Sequence, residues 1–270
     1  MRAKRSIGKE LEAFYRNPNA NSGLNEEGKM SLLENTDDLK ELVETLNFKE
    51  KVERSKQLIK EAYERYGDSL VVANSLGKDS GAVWDLAKKV DPKIRGFIVT
   101  TRFKPAETVK FMNEEVARYP ELKVYKNDSE ILEKLYETDP DKCCDILKVE
   151  PVKRAIEELR VKCWVTGLRC TEGRTRTDFR EVEERDKGLI KLNPILIWKE
   201  REVWQYLALY QVFVNPLYGE GYRSLGCAPC THITNDDNER GGRWIGTSKC
   251  GGECGIHTRP LKTNTGGEGI

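Results

Sequence analysis

The chain has 270 residues, of which 38% are hydrophobic and 34% are charged, and this is enough apolar material for one large domain with appendages. Its 46 Lys and Arg nearly cancel its 45 Asp and Glu, which excludes a general electrostatic attraction to nucleic acid or to an anionic membrane. The N-terminal stretch has no apolar run long enough for a signal peptide, and no run in the sequence approaches the ~20 residues of a membrane span, so we expect a soluble, cytoplasmic protein. Because the cytosol is reducing, the eight cysteines favour metal binding or thiol chemistry over disulfides.

Helical and strand patterns alternate along most of the chain. A polar stretch broken by turn residues (1–46) is interpreted as an N-terminal extension, and residues 47–66 have apolar residues at helical spacing. Four apolar segments then predict strands, and a helical segment follows each of the first three: SLVVANS, KIRGFIVTT, LKVYK and CWVTGLR. This alternation predicts an α/β fold with a mostly parallel sheet and helices on both faces.

The pattern changes after the fourth predicted strand. Residues 170–188 are polar and are interpreted as a long loop, and LIKLNPILIWKEREVWQYLALYQV returns to strand and amphipathic helix. From residue 215 onward Gly, Pro and Cys dominate and periodicity is lost, which predicts an irregular C-terminal tail. We therefore expect a main domain over 47–248 and a mobile C-terminal segment over 249–270.

The stretch NSLGKDSGAV lies between the first predicted strand and its helix. Gly77 permits a tight turn there, and backbone amides at a helix N-terminus favour an anion. Lys78 adds a positive charge and the hydroxyls of Ser75 and Ser80 donate hydrogen bonds, so the stretch is interpreted as a cradle for phosphate or sulfate. The alternative is an ordinary turn with Asp79 or Ser80 as the helix cap. The loop is too short for a Walker loop and resembles that of the adenine nucleotide α-hydrolase-like group, which includes ATP pyrophosphatases and sulfonucleotide reductases.

Two cysteine pairs have the spacing of metal ligands. Cys227 and Cys230 form a CAPC motif in a late irregular segment, where a metal is favoured over a redox dithiol. Cys143 and Cys144 are adjacent, and the two pairs together offer four thiolates to one centre; buried structural cysteines are the alternative for the adjacent pair. Four sulfur ligands indicate zinc or an iron–sulfur cluster, and spacing does not separate the two, although tandem cysteines are unusual in zinc ribbons.

The stretch KCGGECGIH contains two more cysteines among glycines. Such a segment is a poor rigid ligand shell, whereas a thiolate nucleophile needs access and a lowered pKa, which neighbouring cations supply. Cys254, followed by His257, is therefore the candidate nucleophile, against the alternative of an incidental exposed thiol. An incidental thiol is the favoured interpretation of Cys250, with a resolving cysteine as the alternative hypothesis.

Taken together, the motifs closely resemble the assimilatory sulfonucleotide reductases, that is, the adenylylsulfate (APS) and phosphoadenylylsulfate (PAPS) reductases. The matching stretches run in family order from residue 69 to residue 257: SLGKDS, FIVTTRFKPAET, KCCDILKVEPVKRA, WVTGLR, NPILIWKEREVWQYL, NPLYGEGYRSLGCAPCT, ERGGRW and ECGIH. Several are weak individually, but the combination of CC, CxxC and a terminal ECGIH is highly specific. The resemblance implies an adenine nucleotide α-hydrolase-like fold, with a nucleotide- and cluster-binding domain over 47–248.

The resemblance also implies reduction of APS to sulfite and AMP in assimilatory sulfate reduction. Cys254 would attack the sulfur, expel AMP and form an S-sulfocysteine, from which thioredoxin, glutaredoxin or a similar dithiol would release sulfite. A 4Fe–4S cluster, which in this family goes with APS, would act electrostatically and carry no electrons. Its ligands would be Cys143, Cys144, Cys227 and Cys230.

By the same resemblance, further residues contact the substrate. Lys148 would link the cluster to the substrate, and His257 would be a catalytic residue together with Cys254 and stay close to the substrate. Four arginines match positions that contact substrate or sulfate: Arg102, Arg169, Arg240 and Arg243. The chemistry agrees, because a thiolate that attacks a sulfonate brings negative charges together and needs cations around the transition state. A solvated surface charge is the alternative for each arginine.

Three alternative functions stay open at this point. The nearest is the same thiol chemistry on PAPS. Lys78 and Asp79 in the loop are more like those of ATP pyrophosphatases, which allows an ATP-pyrophosphatase-type sulfurtransferase. A zinc-stabilised binding module without catalysis is the third. No motif decides the reductant, the role of residues 1–46 or the oligomeric state. The sequence is compatible with a homo-oligomer.

Overall fold

The computed structural model describes residues 32–34, 38–130, 134–173, 179–235, 237–249, 254–258 and 261. The predictions for residues 1–31 and for Cys250 lie outside these ranges, and the domain boundaries at 46 and 248 stay predictions. None of the helices in the described ranges is both long enough and apolar enough to cross a membrane.

The longest helix occupies the segment that the sequence predicts as helical, over Phe48–Tyr66, and begins with a capping box between Asn47 and Glu50. In chain order the helices are α1 (Leu39–Thr45), α2 (Phe48–Tyr66), α3 (Lys78–Val90), α4 (Ala106–Arg118), α5 (Leu135–Thr138), α6 (Pro140–Cys144), α7 (Glu150–Glu158), α8 (Glu200–Leu209) and α9 (Gly255–Thr258). A π-helical turn over Asp145–Val149 joins α6 to α7. Pro151 follows this turn, and its ring requires the helix to widen there because it would clash with the carbonyl four residues earlier.

The strands of the described residues form one sheet. They are β1 (Leu70–Ala73), β2 (Arg95–Thr100), β3 (Leu122–Lys126), β4 (Cys163–Val165), β5 (Val182–Arg185) and β6 (Leu189–Leu192). Their order across this six-stranded sheet is β3-β2-β1-β4-β6-β5. All neighbours are parallel except β5 and β6, which form an antiparallel hairpin at the edge. The predicted α/β class with a mostly parallel sheet is confirmed.

Alternating side chains of the central strands enter two cores on opposite faces of the sheet. Leu70 and Val72 of β1 join the core formed with α2, α3 and α8, while Val71 joins the core formed with α7. In β4, Trp164 lies in the α7 core. Helices therefore cover both faces of the sheet, as predicted.

The described part of residues 1–46 contributes to the main core. Leu33, Leu39 and Val43 pack in the core of α2, α3 and α8. The Lys51 ammonium donates a hydrogen bond to the Val43 carbonyl at 2.9 Å and forms a buried ion pair with Glu202 of α8 at 3.0 Å. This segment is therefore tied to the domain by both apolar and polar contacts.

Strand β5 lies within the stretch that the sequence predicts as a loop, so that prediction is wrong for residues 182–185. Three of its four residues are charged, and the strand is half-buried to exposed. It occupies the sheet edge, where charged side chains discourage pairing with another chain and where little hydrophobic alternation is needed. An alternating apolar pattern could not reveal such a strand.

Candidate active site

The candidate site lies at the carboxyl ends of β1, β2 and β4, where ligands bind in open parallel sheets. The strand order reverses between β1 and β4, and a cleft of about 1140 Å³, including its open mouth, lies at this switch point. Gly167 after β4 approaches α3 so closely that a Cβ would lie 2.7 Å from the Ser80 nitrogen. Glycine at this position therefore lets the two loops close around the cleft.

The loop between β1 and α3 is shaped by hydrogen bonds among its own polar side chains. The Asn74 carboxamide oxygen accepts a hydrogen bond from the Ser80 hydroxyl at 3.2 Å, and the hydroxyls of Ser75 and Ser80 lie 3.0 Å apart. Gly77 is the N-cap of α3 and lines the cleft together with Ser75, Lys78 and Ser80. Two hydroxyls and a helix N-terminus thus face one space, the arrangement that an anion cradle requires.

At the start of α3, Lys78, Asp79, Arg169 and Glu239 form a set that we call the ion network. The Arg169 guanidinium donates to Asp79 at 2.5 Å and to Glu239 at 2.5 and 2.7 Å. The Lys78 ammonium lies 3.3 Å from Asp79 and also pairs with Glu239. Burial alone would raise the pKa of the Asp79 carboxyl, but Arg169 and Lys78 outweigh it and lower that pKa to about 2. Two cations are therefore compensated by two carboxylates.

Glu172 joins Asp79 and Glu239 in an acidic group whose oxygens lie within 4.8 Å of one another. Among the residues that the structure describes, no other three His, Cys, Asp or Glu side chains meet this criterion. Each carboxylate is already paired with a cation, and Glu172 pairs with Arg240 at 3.3 Å. We therefore assign the group to the scaffold, because removing one partner from a buried ion pair leaves an uncompensated charge.

A second set of cations lines the cleft together with the Cys254 thiol. It consists of Lys104, Lys148 and Arg243, which we call the cation group. Lys148 lies in the π-helical turn before α7, a kind of distortion that recurs at functional sites. None of the three forms an ion pair with a carboxylate in the described ranges, in contrast to Lys78 and its neighbours. Their positive charge is therefore available to an incoming anion.

Burial and neighbouring charges shift the pKa values of the cation group. Burial would lower the pKa of Lys148, but the cysteine thiols, Cys227 foremost, outweigh it and raise that pKa. Burial lowers the pKa of Lys104 to about 8; the Cys227 thiol opposes this shift, and repulsion from Lys148 and Arg243 adds to it. Burial lowers the pKa of Arg243 as well. Each of these charges would be stabilised by a bound anion.

Four buried cysteines surround a small pocket with an empty volume of about 270 Å³: Cys143, Cys144, Cys227 and Cys230. We call them the cysteine group. Burial, followed by the other three thiols, raises the pKa of Cys143 to about 11, so the four side chains interact with one another. The structure thus brings together the four residues that the sequence predicts as ligands of one metal centre.

The sulfurs of the cysteine group are spaced more widely than the ligands of a single zinc ion. Zn–S bonds of about 2.3 Å put the sulfurs of a tetrahedral site about 3.8 Å apart. No three cysteine sulfurs in the described part of the chain lie within 4.8 Å of one another. Burial would raise the pKa of Cys227, but Lys148 and Lys104 outweigh it and lower that pKa, which favours a thiolate ligand.

The β5–β6 hairpin holds the C-terminal segment at the cleft. Arg185 donates a hydrogen bond to the His257 carbonyl at 3.1 Å, and Asp186 accepts one from the Leu261 amide at 2.8 Å. The His257 imidazole stacks on the Trp164 indole, with 6.0 Å between ring centroids and 10° between planes. Leu261 is buried in the α7 core. These contacts position α9, and with it the predicted nucleophile.

Most residues that the sequence assigns to the site line the cleft: Ser75, Gly77, Lys78, Ser80, Lys148, Arg240, Arg243, Cys254 and His257. Arg169 does not, because it is 0% exposed and its guanidinium is committed to the ion network. Arg102 does not either, because it is exposed and donates to the backbone carbonyls of Asp128 and Ser129. In this arrangement Arg169 braces the site from below the surface, and Arg102 stabilises the turn after β3.

Three of the site residues that sequence reasoning missed show what signal was or was not present. Lys104 follows the carboxyl end of β2, and the rule that ligands bind beyond such strand ends could have found it. Trp164 stacks on His257, and Glu239 completes the ion network, but neither carries a local signal. Their roles depend on contacts with segments that are remote in sequence.

Comparisons with known proteins agree with this geometry. The phosphoadenosine phosphosulfate reductase domain matches residues 69–233. A phosphoadenosine 5'-phosphosulfate reductase of Gloeobacter violaceus is 34% identical over 213 residues, which cover 74% of this chain and 87% of that protein. An adenosine 5'-phosphosulfate reductase of Halalkalibacterium halodurans is 35% identical over 214 residues, which cover 75% and 91%.

Solved structures show the same architecture. The crystal structure of phosphoadenylyl-sulfate reductase from Candida auris, a phosphate complex, has a TM-score of 0.59 at 25% identity and covers 76% of this chain and 100% of that chain. A Candida glabrata FMN adenylyltransferase has a TM-score of 0.56 at 16% identity, over 73% of this chain and 72% of that chain, and so shares the fold.

The mostly parallel sheet covered on both faces, with its cleft at the switch point, matches the adenine nucleotide α-hydrolase-like fold that the sequence predicts. The chain belongs to the phosphoadenosine phosphosulfate reductase domain family. The predicted family is therefore confirmed, and so is the predicted enzyme class, an oxidoreductase that acts on a sulfur group.

Proposed function

We propose that the protein reduces APS to sulfite and AMP, the activity for which the Halalkalibacterium halodurans relative is named. One observation carries this proposal: the Cys254 thiol shares a cleft with Lys104, Lys148 and Arg243, and none of these cations is paired with a carboxylate in the described ranges. A thiol nucleophile surrounded by available positive charge suits an electrophile that is itself an anion. The sulfonate of APS has this character.

The two parts of the cleft divide the substrate between them. The hydroxyls of Ser75 and Ser80 and the N-terminus of α3 would bind the α-phosphate, since backbone amides and the helix dipole favour an anion there. The cation group would bind the sulfonate. Holding the nucleotide at both ends aligns the sulfur with Cys254 and makes the attack effectively unimolecular.

In the first step, the Cys254 thiolate attacks the sulfonate sulfur. A sulfur–sulfur bond forms, the bond from sulfur to the phosphate oxygen breaks, and AMP leaves with the electron pair of that bond. The product is an S-sulfocysteine at residue 254. Lys148 and Arg243 stabilise the negative charge that gathers on the sulfonate oxygens and on the departing phosphate.

In the second step, a dithiol of the thioredoxin or glutaredoxin type releases sulfite. One reductant thiolate attacks the Cys254 sulfur and displaces sulfite, and the second thiol resolves the mixed disulfide. The two electrons that reduce the sulfur thus come from the dithiol, which is oxidised to a disulfide. Cys254 lies on the short C-terminal segment that the β5–β6 hairpin holds, so release of that segment would present the S-sulfocysteine to the reductant.

The cysteine group fits a 4Fe–4S cluster. Cys143, Cys144, Cys227 and Cys230 are buried around one pocket, and their sulfurs are too widely spaced for one zinc ion. When bound, the cluster supplies a charged group beside the substrate and carries no electrons. Lys148 interacts electrostatically with both Cys227 and Cys254, so its ammonium would join the cluster ligands to the sulfonate.

Two further residues complete the proposed site. Arg240 lines the cleft while it pairs with Glu172 at 3.3 Å, and this ion pair would hold its guanidinium beside the bound nucleotide. His257 lines the cleft with its imidazole stacked on Trp164, which keeps the residues after Cys254 close to the bound substrate. Both act by positioning.

Trapping the intermediate tests the proposal. Incubation of the anaerobically purified enzyme with ³⁵S-labelled APS and no reductant should leave label on Cys254, and a dithiol should release it as sulfite. Cys254→Ser should abolish labelling, whereas Cys170→Ser, a partly buried cysteine outside the site, should not. Label on another cysteine, or none in the native enzyme, would contradict the proposal.

Substrate choice and metal content need separate measurements. Steady-state rates with APS and PAPS should favour APS; a strong preference for PAPS, the substrate class of the Gloeobacter violaceus relative, would reassign the substrate but keep the chemistry.

Iron and acid-labile sulfide should be present in the brown, anaerobically purified protein. A colourless protein with zinc and no iron would contradict the cluster.

A further inference from the structure

Lys104 is held in the cleft by its backbone rather than by contacts of its ammonium. Its amide donates a hydrogen bond to the Thr101 carbonyl at 3.2 Å, and the neighbouring Phe103 carbonyl accepts one from Ala228 at 2.8 Å. The residue is thereby clamped between the end of β2 and the CxxC loop. Pro105 then begins α4 as its N-cap, so the turn has little freedom to move the side chain out of the cleft.

The groups that face the Lys104 ammonium identify its function. Lys104 lines the cleft together with Lys148, Arg243 and the Cys254 thiol. The Cys227 and Cys254 thiols attract its ammonium, and Lys148 and Arg243 repel it. Its ammonium makes no hydrogen bond or ion pair in the described ranges. No carboxylate of the described ranges pairs with this partly buried ammonium, so a bound anion beside Cys254 would add to the opposite charge that the Cys227 thiol supplies.

The position of Lys104 distinguishes it from the nucleotide-binding loop. It follows β2 and lines the cleft together with the nucleophilic thiol, whereas the phosphate cradle follows β1. The part of the substrate nearest to Cys254 is the sulfonate, because that is the group the thiolate attacks. We propose that Lys104 is a further catalytic residue, whose ammonium binds the sulfonate oxygens of APS during transfer to Cys254. This inference rests on the proposed function.

The chemistry explains why such a residue would be useful. The attacking thiolate, the sulfonate and the departing phosphate bring negative charge into one space, and a fixed cation stabilises that charge more strongly in the transition state than in the ground state. A lysine ammonium is a compact point charge with three donors, so it can bind the sulfonate oxygens both before and during transfer of the sulfur to the thiol.

A comparison of APS with AMP tests the assignment, because AMP lacks the sulfonate. In single-turnover reactions without reductant, Lys104→Gln should slow S-sulfocysteine formation on the order of 100-fold, as loss of one transition-state donor does. The AMP dissociation constant should change by no more than about twofold, roughly 0.4 kcal/mol. Lys104→Arg should recover most of the rate because it keeps the charge.

Lys110→Gln is the matched control, since Lys110 lies exposed on the adjacent helix α4 and should behave as the native enzyme does. Visible absorbance and thermal melting monitor the metal centre and the fold of every variant. If Lys104→Gln loses APS transfer and AMP affinity together, or keeps native transfer, the assignment to the sulfonate is wrong. If the native enzyme forms no S-sulfocysteine, it is the proposed function that fails.

Discussion

The ion network and the cation group lie in the same cleft region and both contain Lys and Arg, yet only in the ion network are these cations paired with carboxylates. In the ion network, Lys78 and Arg169 meet two carboxylates at hydrogen-bond distance. In the cation group, Lys104 and Lys148 meet thiols and other cations. A cation that is already paired with carboxylates is part of the scaffold, whereas one without a carboxylate partner is prepared for an anionic ligand. Compensation therefore separates structural charge from catalytic charge.

The ion network also explains how remote segments reach the cleft. Glu239 comes from the C-terminal region, Arg169 follows β4, and Asp79 opens α3, so one network ties three segments together. Arg243 lies four residues after Glu239. The compensated charges thus hold in place the segment that carries one of the uncompensated charges.

Removal of one carboxylate from the ion network should produce the largest effect on stability. Glu239→Gln keeps the shape of the side chain but leaves Arg169 and Lys78 with one carboxylate between them, so the free energy of unfolding should fall by about 3–5 kcal/mol. Urea unfolding measures the change. Glu137→Gln, at an exposed position of α5, is the control and should be neutral. Equal stability of the two variants would show that the network does not brace the fold.

Removal of one uncompensated charge should produce the opposite pattern. Arg243→Gln should slow sulfonate transfer about 10²–10³-fold, since it removes a cation from the transition state. Its free energy of unfolding should fall by no more than about 1–2 kcal/mol. The guanidinium loses its hydrogen bonds to the Leu225 carbonyl at 2.9 Å and to the Ser224 hydroxyl at 3.3 Å, and the relief of repulsion from Lys148 and Lys104 offsets part of that loss. Single-turnover kinetics and urea unfolding measure the two quantities, with the exposed Arg201→Gln of α8 as control. A large loss of stability with little loss of rate would assign Arg243 to the scaffold.

Acid should weaken the ion network through Asp79. Its pKa is lowered from 3.8 to about 2, against burial, by Arg169 and Lys78. A carboxyl with a lowered folded pKa adds stability above its unfolded pKa and loses it as pH falls toward the folded value. The contribution is about 2 kcal/mol near neutral pH, and roughly half of it should be lost by about pH 3.

Urea unfolding of the native protein and of Asp79→Asn at several pH values measures this contribution. The variant should be less stable at neutral pH, and the gap between the two proteins should narrow below about pH 4. A gap that stays constant down to pH 3 would mean that Asp79 does not titrate as the ion network requires.

The features that the sequence predicts are those encoded in short continuous segments of the chain. The strands of the central sheet and the loop at Ser75–Ser80 are continuous segments with regular patterns, and they were predictable. The prediction that Cys254 lies at the site depended on the ECGIH motif. The commitment of Arg169 to Asp79 and Glu239 was not predictable, because it depends on partners 90 and 70 residues away along the chain. Lys104 was overlooked for a different reason: the absence of a carboxylate partner for its ammonium can be seen only when all of its neighbours are known.

A substitution in the hairpin that holds the C-terminal segment should give the smallest effect on stability. It tests whether a contact that only positions this segment behaves differently from the ion network and from the cation group. Asp186 accepts a hydrogen bond from the Leu261 amide at 2.8 Å, in a half-buried position outside both the ion network and the cation group. Asp186→Ala should cost about 1 kcal/mol of docking free energy of this segment. Global stability should hardly change, because the sheet and its two cores stay intact.

Undocking should instead change access to the nucleophile. A loss of 1 kcal/mol raises the undocked population about fivefold, so alkylation of Cys254 by iodoacetamide should accelerate by about that factor. Mass spectrometry of the C-terminal peptide measures the rate. Glu184→Ala, at an exposed position of β5, is the control and should leave alkylation unchanged. Because the reductant needs the undocked thiol and the substrate needs the docked one, Asp186→Ala should slow S-sulfocysteine formation and speed sulfite release. A change of both steps in the same direction would mean that the hairpin acts on the cleft itself.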